Sequence, residues 1–190
     1  MQTNMLATQR LTLRPFTMAD EPLVYAIASD PETTKYLYYW ARMGMTVQQD
    51  TQRFLNYAVG GWQKTPIVDR EYVLVRREDG TAIGDGSIQI TGEKTAEIGW
   101  ILLPEYRGKG YVTEMARELL RFGFEDMQMD CIEASCDSRN AASYRVMERL
   151  GMQYLSTEYG ARKPKHEGEA PGDTLVYGIT KEQWQNKNRL

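Results

Sequence analysis

The chain has 190 residues, 42% hydrophobic and 26% charged, with a net charge of −3. That is enough for one domain burying roughly 70% of its unfolded surface, and it offers no overall basic field for direct nucleic-acid binding. With two cysteines (Cys131, Cys136), one histidine (His166) and no long apolar run, neither a His/Cys metal site nor a membrane partner is expected.

The opening MQTNMLATQR lacks the basic stretch and apolar core of a signal peptide, so a cytoplasmic location with reduced thiols is expected. If both cysteines share a strand, their odd spacing puts them on opposite faces, which argues against pairing. Leu11 and Leu13 alternate with Thr12 and Arg14, a short strand that Pro15 ends. Thr17 caps a helix carrying Leu23, Val24, Ile27 and Ala28, and Asp30-Pro31 breaks it. A second helix is predicted over 46–59, with Val47, Phe54, Leu55 and Ala58 on one side. Strands follow over 71–77 and 81–90, joined by the turn Glu78-Asp79-Gly80, and Thr91-Gly92 leads to a third over 95–103.

Val112, Met115, Ala116, Leu119, Leu120 and Gly123 then fall on one face of a helix. A strand over 131–136, a helix over 140–150 with Gly151 as its C-terminal cap, and closing strands over 152–159 and 173–180 complete the chain. The stretch 160–172 between the last two strands reads as a polar loop. This order implies one α/β domain over 1–190 built on a mostly antiparallel sheet, not a doubly wound one.

The chemistry concentrates in LLPEYRGKGYVTEMARELL, residues 102–120. Lys109 is followed by Gly110 where a phosphate-binding P-loop has Ser or Thr, and Thr113 replaces the third glycine of a dinucleotide fingerprint. What remains is a glycine turn entering a helix. Either it merely connects strand to helix, or its N–H groups, the helix N-terminus, Arg107 and Lys109 hold an anion such as a phosphate.

Written as Arg107-x-x-Gly110-x-Val112, the turn resembles the Q/R-x-x-G-x-G/A signature of the GNAT superfamily of N-acetyltransferases, with Val112 departing from the small final residue. NAASYRVMERLGM, 140–152, resembles that family's N-x-x-[SA] helix, and TQRLTLRPF, AEIGW and GDTLVYGITKEQW resemble its RimJ/RimL-like branch, the ribosomal-protein N-terminal acetyltransferases and relatives. The resemblance implies a sheet splayed at the cofactor site and flanked by helices, with acetyl-CoA as cosubstrate. It places the pyrophosphate on the loop of Arg107, Gly108, Lys109, Gly110, Tyr111, Val112 and Thr113. It gives pantetheine to the backbone around Trp100, Ile101 and Leu102 and to Asn140.

Gly99 is a candidate for a bulge that splays its strand. Glu97, on the face of Gly99, is the candidate base or a solvated carboxylate. Ser143 is the candidate donor to the departing thiolate, since Met147 fills the slot where other members carry a tyrosine. Water and Tyr144 compete for that role, and a cap or packing contact is the plain alternative for Ser143 and Asn140. Tyr36, Tyr38, Tyr39 and Trp40 either wall the acceptor pocket or anchor core and loop. His166 reads as a loop residue.

The implied acceptor is a primary amine. A peptide α-amine titrates near 7.7–8 and a lysine near 10.4, so an α-amine has far more attacking form at pH 7. Small-molecule or antibiotic acetylation and a non-catalytic acyl-CoA sensor are the alternatives.

Overall fold

A computed structural model describes residues 5–37, 45–162 and 170–188 of the protein. Tyr38, Tyr39, Trp40 and His166 lie outside the described residues. The elements run β1 (Leu6–Ala7), β2 (Leu11–Pro15), α1 (Glu21–Ser29), α2 (Pro31–Thr34), α3 (Val47–Gly61), β3 (Asp69–Arg76), β4 (Ala82–Ile90) and β5 (Thr95–Leu102). They continue with α4 (Tyr111–Arg121), β6 (Cys131–Asp137), α5 (Ala141–Leu150), β7 (Gln153–Arg162), β8 (Gly172–Thr180) and α6 (Lys181–Asn188).

Among the described residues one sheet has the order β1-β2-β3-β4-β5-β6-β8-β7, and only β5 and β6 pair in parallel. The mixed, mostly antiparallel α/β sheet expected from the sequence is the one observed. The hairpin between β3 and β4 turns at Gly80, whose φ of 73° is left-handed.

Helices cover both faces of the sheet. Met115, Ala116, Leu119 and Leu120 of α4 and Val146, Met147 and Leu150 of α5 are buried with Tyr72, Leu74, Ile88, Ile98 and Ile132. A fully buried leucine of this kind contributes roughly 1.5–3 kcal/mol. Gly123 lies in the π-helical turn 122–126 that extends α4. A Cβ there would stand 2.5 Å from Ile132 Cδ1, so the small residue lets helix and sheet approach. On the opposite face Leu23, Val24 and Ile27 of α1 and Leu55 and Ala58 of α3 pack with Phe16 and Val73.

Strand alternation therefore assigns each residue a side. On β3, Tyr72 and Leu74 face α4, while Asp69, Glu71 and Val73 face α1 and α3. Cys131 and Cys136 do share β6 and both are free thiols.

The helix expected after Thr17 begins as a 3-10 turn at Met18–Asp20, where Asp20 accepts from the Thr17 N–H at 2.8 Å and its hydroxyl at 2.9 Å. Asp30 ends α1 and caps α2 by accepting from the Thr33 N–H at 2.8 Å. β7 reaches Arg162, further than expected, because it stays paired with β8 to Arg162↔Gly172. The 160–172 stretch is therefore strand at both ends.

Candidate acetyl-transfer site

β5 and β6 pair only at Thr95↔Cys131, Ala96↔Ile132 and Glu97↔Glu133. Both strands run on, to Leu102 and Asp137, and they separate beyond Glu97 while β6 keeps its other edge on β8. Lys94 O accepts from the Cys131 N–H at 3.2 Å, and the Leu103 N–H donates to Ile83 O on β4 at 3.0 Å. Backbone groups alternate sides along a strand. The N–H groups of Trp100 and Leu102 thus face the open fork, while that of Ile101 faces β4. Unpaired strand donors in a cleft suit a carbonyl oxygen or an amide chain.

Gly99 is not a bulge. The β4–β5 register runs unbroken from Ile90↔Ala96 to Gly84↔Leu102, so the splay arises on the β6 side. What Gly99 supplies is space: a Cβ there would meet only the Ser87 hydroxyl, at 2.9 Å.

At the end of β5 a 3-10 turn, Pro104–Tyr106, leads to the glycine loop. Gly108 and Gly110 take φ values of 74° and 81°, and Gly110 caps α4. Nothing lies within 4 Å of a Cβ built on Gly108. The first N–H groups of α4, on Tyr111, Val112 and Thr113, leave its end without intrahelical partners. Gly110 O is already used by the Glu114 N–H at 3.1 Å. This is an open, electropositive backbone cradle that fits a pyrophosphate.

Arg107 is committed elsewhere in part. Its Nε donates to Leu102 O at 3.0 Å and its Nη2 to the Thr33 hydroxyl at 2.6 Å, tying the end of β5 to α2. Lys109 Nζ stands 5.5 Å from the Tyr106 ring. Arg10 braces the loop from below, a role the sequence did not reveal. It donates to Lys109 O at 3.0 Å and to Glu114 Oε2 at 2.6 Å, and lies 4.6 Å from the Tyr111 ring centre. Burial works against the Glu114 charge, but the Thr8 hydroxyl and Arg10 hold its carboxyl below the usual value.

The other arm of the fork ends at α5. Asn140 is its N-cap, accepting from the Ser143 N–H at 3.3 Å. Ser143 and Tyr144 are half-buried, and Met147 is fully buried in the core. Burial pushes the Cys136 thiol up, against the Arg162 charge and hydrogen bonds from the Ser143 hydroxyl and the Tyr144 N–H. Ser143 thus sits in the first turn of α5 against Cys136 of β6. Tyr36, half-buried, gives its carbonyl to Arg162 at 3.0 Å.

On the α1/α3 face the fork opens onto an acidic floor. Cross-strand rows run Asp69–Gln89–Glu97, Glu71–Ser87–Gly99 and Val73–Asp85–Ile101. Glu97 accepts from the Ser135 hydroxyl at 2.7 Å. Desolvation pushes Asp85 up to about 7 against the Ile101 N–H. Glu71 is half-buried. Desolvation, then Asp85 and Asp69, raise its carboxyl well above the usual range. Glu97 was the carboxylate the sequence could place here; Asp85 and Glu71 were missed. The signal was two acidic residues at positions where strand alternation predicts a buried face.

The family profile described as acetyltransferase (GNAT) domain matches residues 10–153. The uncharacterized N-acetyltransferase YnaD of Bacillus subtilis (strain 168) is 33% identical over 180 residues, covering 94% of this chain and 98% of that protein. The crystal structure of a GNAT-family acetyltransferase from Bacillus anthracis superposes with a TM-score of 0.78 at 29% identity, covering 94% of this chain and 99% of that one. Mycobacterium smegmatis RimJ in complex with CoA-disulfide shares the fold, with a TM-score of 0.77 at 18% identity over 97% of this chain and 94% of that one. With its forked sheet, its glycine-capped helix and these relatives, the chain belongs to the GNAT family of N-acetyltransferases.

Proposed function

We propose that this single domain transfers an acetyl group from acetyl-CoA to a primary amine in the fork between β5 and β6. The observation that carries this reading is the end of strand pairing at Glu97↔Glu133, with the glycine loop at the tip of one arm and Asn140–Ser143 at the tip of the other. In this reading the amides of 108–113 hold the pyrophosphate. The Trp100 and Leu102 N–H groups grip pantetheine and the thioester oxygen, the backbone of Ile101 between them ties β5 to β4, and the Asn140 side-chain amide reaches the pantetheine arm.

The neutral amine forms a C–N bond at the thioester carbon, and the C–S bond breaks. The amine's proton leaves to Glu97, directly or through water; the Ser143 hydroxyl donates a hydrogen bond to the departing thiolate and relays it a proton that the serine regains from water, so Ser143 ends neutral. A donor fixed before charge develops is worth most where water is excluded.

The RimJ/RimL-like segments support a peptide α-amine as acceptor, and the acidic floor supports a small cationic amine. Coenzyme A release with an amine and peptide panel, read with the mass of the product, tests the reading. Acetylated product is expected. Tight coenzyme A binding without transfer to any amine would replace it with an acyl-CoA sensor.

A further inference from the structure

Asp85 is 5% exposed, and its Oδ2 meets no donor among the described residues. It lies on the α1/α3 face, one row from Glu71 and Ser87. Diagonal neighbours in such a sheet stand about 7–8 Å apart at Cα. No described residue donates a hydrogen bond to the Glu71 carboxylate either, and Asp69, at the far end of β3, meets Lys64 Nζ at 3.5 Å. Ser87 and Gly99, in the same cross-strand row as Glu71, are small and half-buried, and a Cβ at Gly99 would find open space except at the Ser87 hydroxyl. The result is a half-buried patch with a small-residue floor, carrying the Glu71 carboxylate and an Asp85 whose only donor is the Ile101 N–H, beside the Trp100–Leu102 edge of the fork.

Burying carboxylates with so few donors is costly, and a bound cation offsets the cost. The carboxylates offer only acceptors when ionised. A peptide terminus would bring one ammonium followed by its own carbonyl oxygens, which such a floor repels. An aliphatic amine with a second ammonium brings donors at both ends.

We infer that Glu71 and Asp85 form a cation site that selects a short aliphatic diamine or polyamine as the acceptor, one ammonium held by the site while the other nitrogen reaches the fork. The inference rests on the acetyl-transfer reading of the fork, but the binding site stands apart from it in test.

Calorimetric titration of the intact protein with 1,4-diaminobutane, 1-aminobutane and a short peptide with a free α-amine, each without acetyl-CoA, provides that test. The diamine is expected to bind at least about tenfold tighter than the monoamine, the usual worth of one charge-assisted contact. Glu71→Gln and Asp85→Asn should each erase most of that margin and leave coenzyme A binding intact, which also certifies that the variants fold. Equal binding of diamine and monoamine, or a margin untouched by both variants, would overturn the site. So would tighter binding of the peptide. Should the diamine bind with its margin and never become acetylated, the site stands and the transfer reading falls; unselective acetylation of all three amines does the reverse.

Discussion

The Ser135 hydroxyl donates to Glu97 Oε1 at 2.7 Å across the point where β5 and β6 part. One residue on each arm therefore fixes the carboxylate at the apex of the fork. If Glu97 takes the amine's proton, Glu97→Gln should lower kcat/KM by about 10²–10⁴, the ordinary range for a general base. The loss should be largest at low pH, where more of the amine is protonated. Ser135→Ala should cost less, since it loosens the base without removing it. A pH–rate profile unchanged by Glu97→Gln would move the role to solvent or to Asp85.

The loop carries a cleaner test. Coenzyme A should raise the Tm of the wild type, and Gly110→Asp should abolish the rise by putting bulk and negative charge against the pyrophosphate. Gly110 has φ 81°, so the variant also bears backbone strain of about 1–2 kcal/mol. Gly110→Asn tolerates that conformation without the charge and serves as the control. Protection equal in all three proteins would take the loop out of cofactor binding.

Much of this was legible in the sequence, and for identifiable reasons. The face of α4 and the glycine cap are local patterns, fixed by helical period and by φ. α6 was missed because Lys181–Asn188 is polar almost all round: its aromatic anchor is Trp184 against Phe124 at 5.5 Å, and the rest is polar, such as Lys187 Nζ donating to Arg149 O at 3.0 Å. Its start was nonetheless written in Thr180 and Gln183, whose side chains each accept from the other's backbone N–H. β1 has two residues and no period to read. The roles of Arg10 and Asp85 depend on chain segments far apart in sequence, brought together only by strand order and register.

Ser143→Ala should reduce turnover more than it weakens acetyl-CoA binding, because the thiolate it would protonate exists only late in the reaction. The backbone N–H of Ser143, not its hydroxyl, meets the Asn140 cap, so the helix should survive the change and the Tm should hold. A kcat that does not move, with chemistry rate-limiting, would pass the proton to Tyr144 or water.

Asp85 makes stability depend on pH in a direction opposite to a salt-bridged carboxylate. Its pKa rises from 3.8 to about 7 on folding, chiefly by desolvation. Between those values the native state holds a proton that the unfolded chain has lost, so stability falls as pH rises through the window and levels off above it. Across that window each pH step of one costs about 1.4 kcal/mol, which makes the ionised residue a substantial burden at pH 8. Glu71, raised partly by Asp85, shifts in the same sense. The Tm of Asp85→Asn minus that of wild type should therefore be small near pH 4, grow towards pH 7 and then stay constant. Adding 1,4-diaminobutane at pH 8 should narrow the gap by stabilising the wild type alone. A difference that is flat from pH 4 to 8 would mean that Asp85 is paired or hydrated in solution, and would remove the strain that the cation is inferred to relieve.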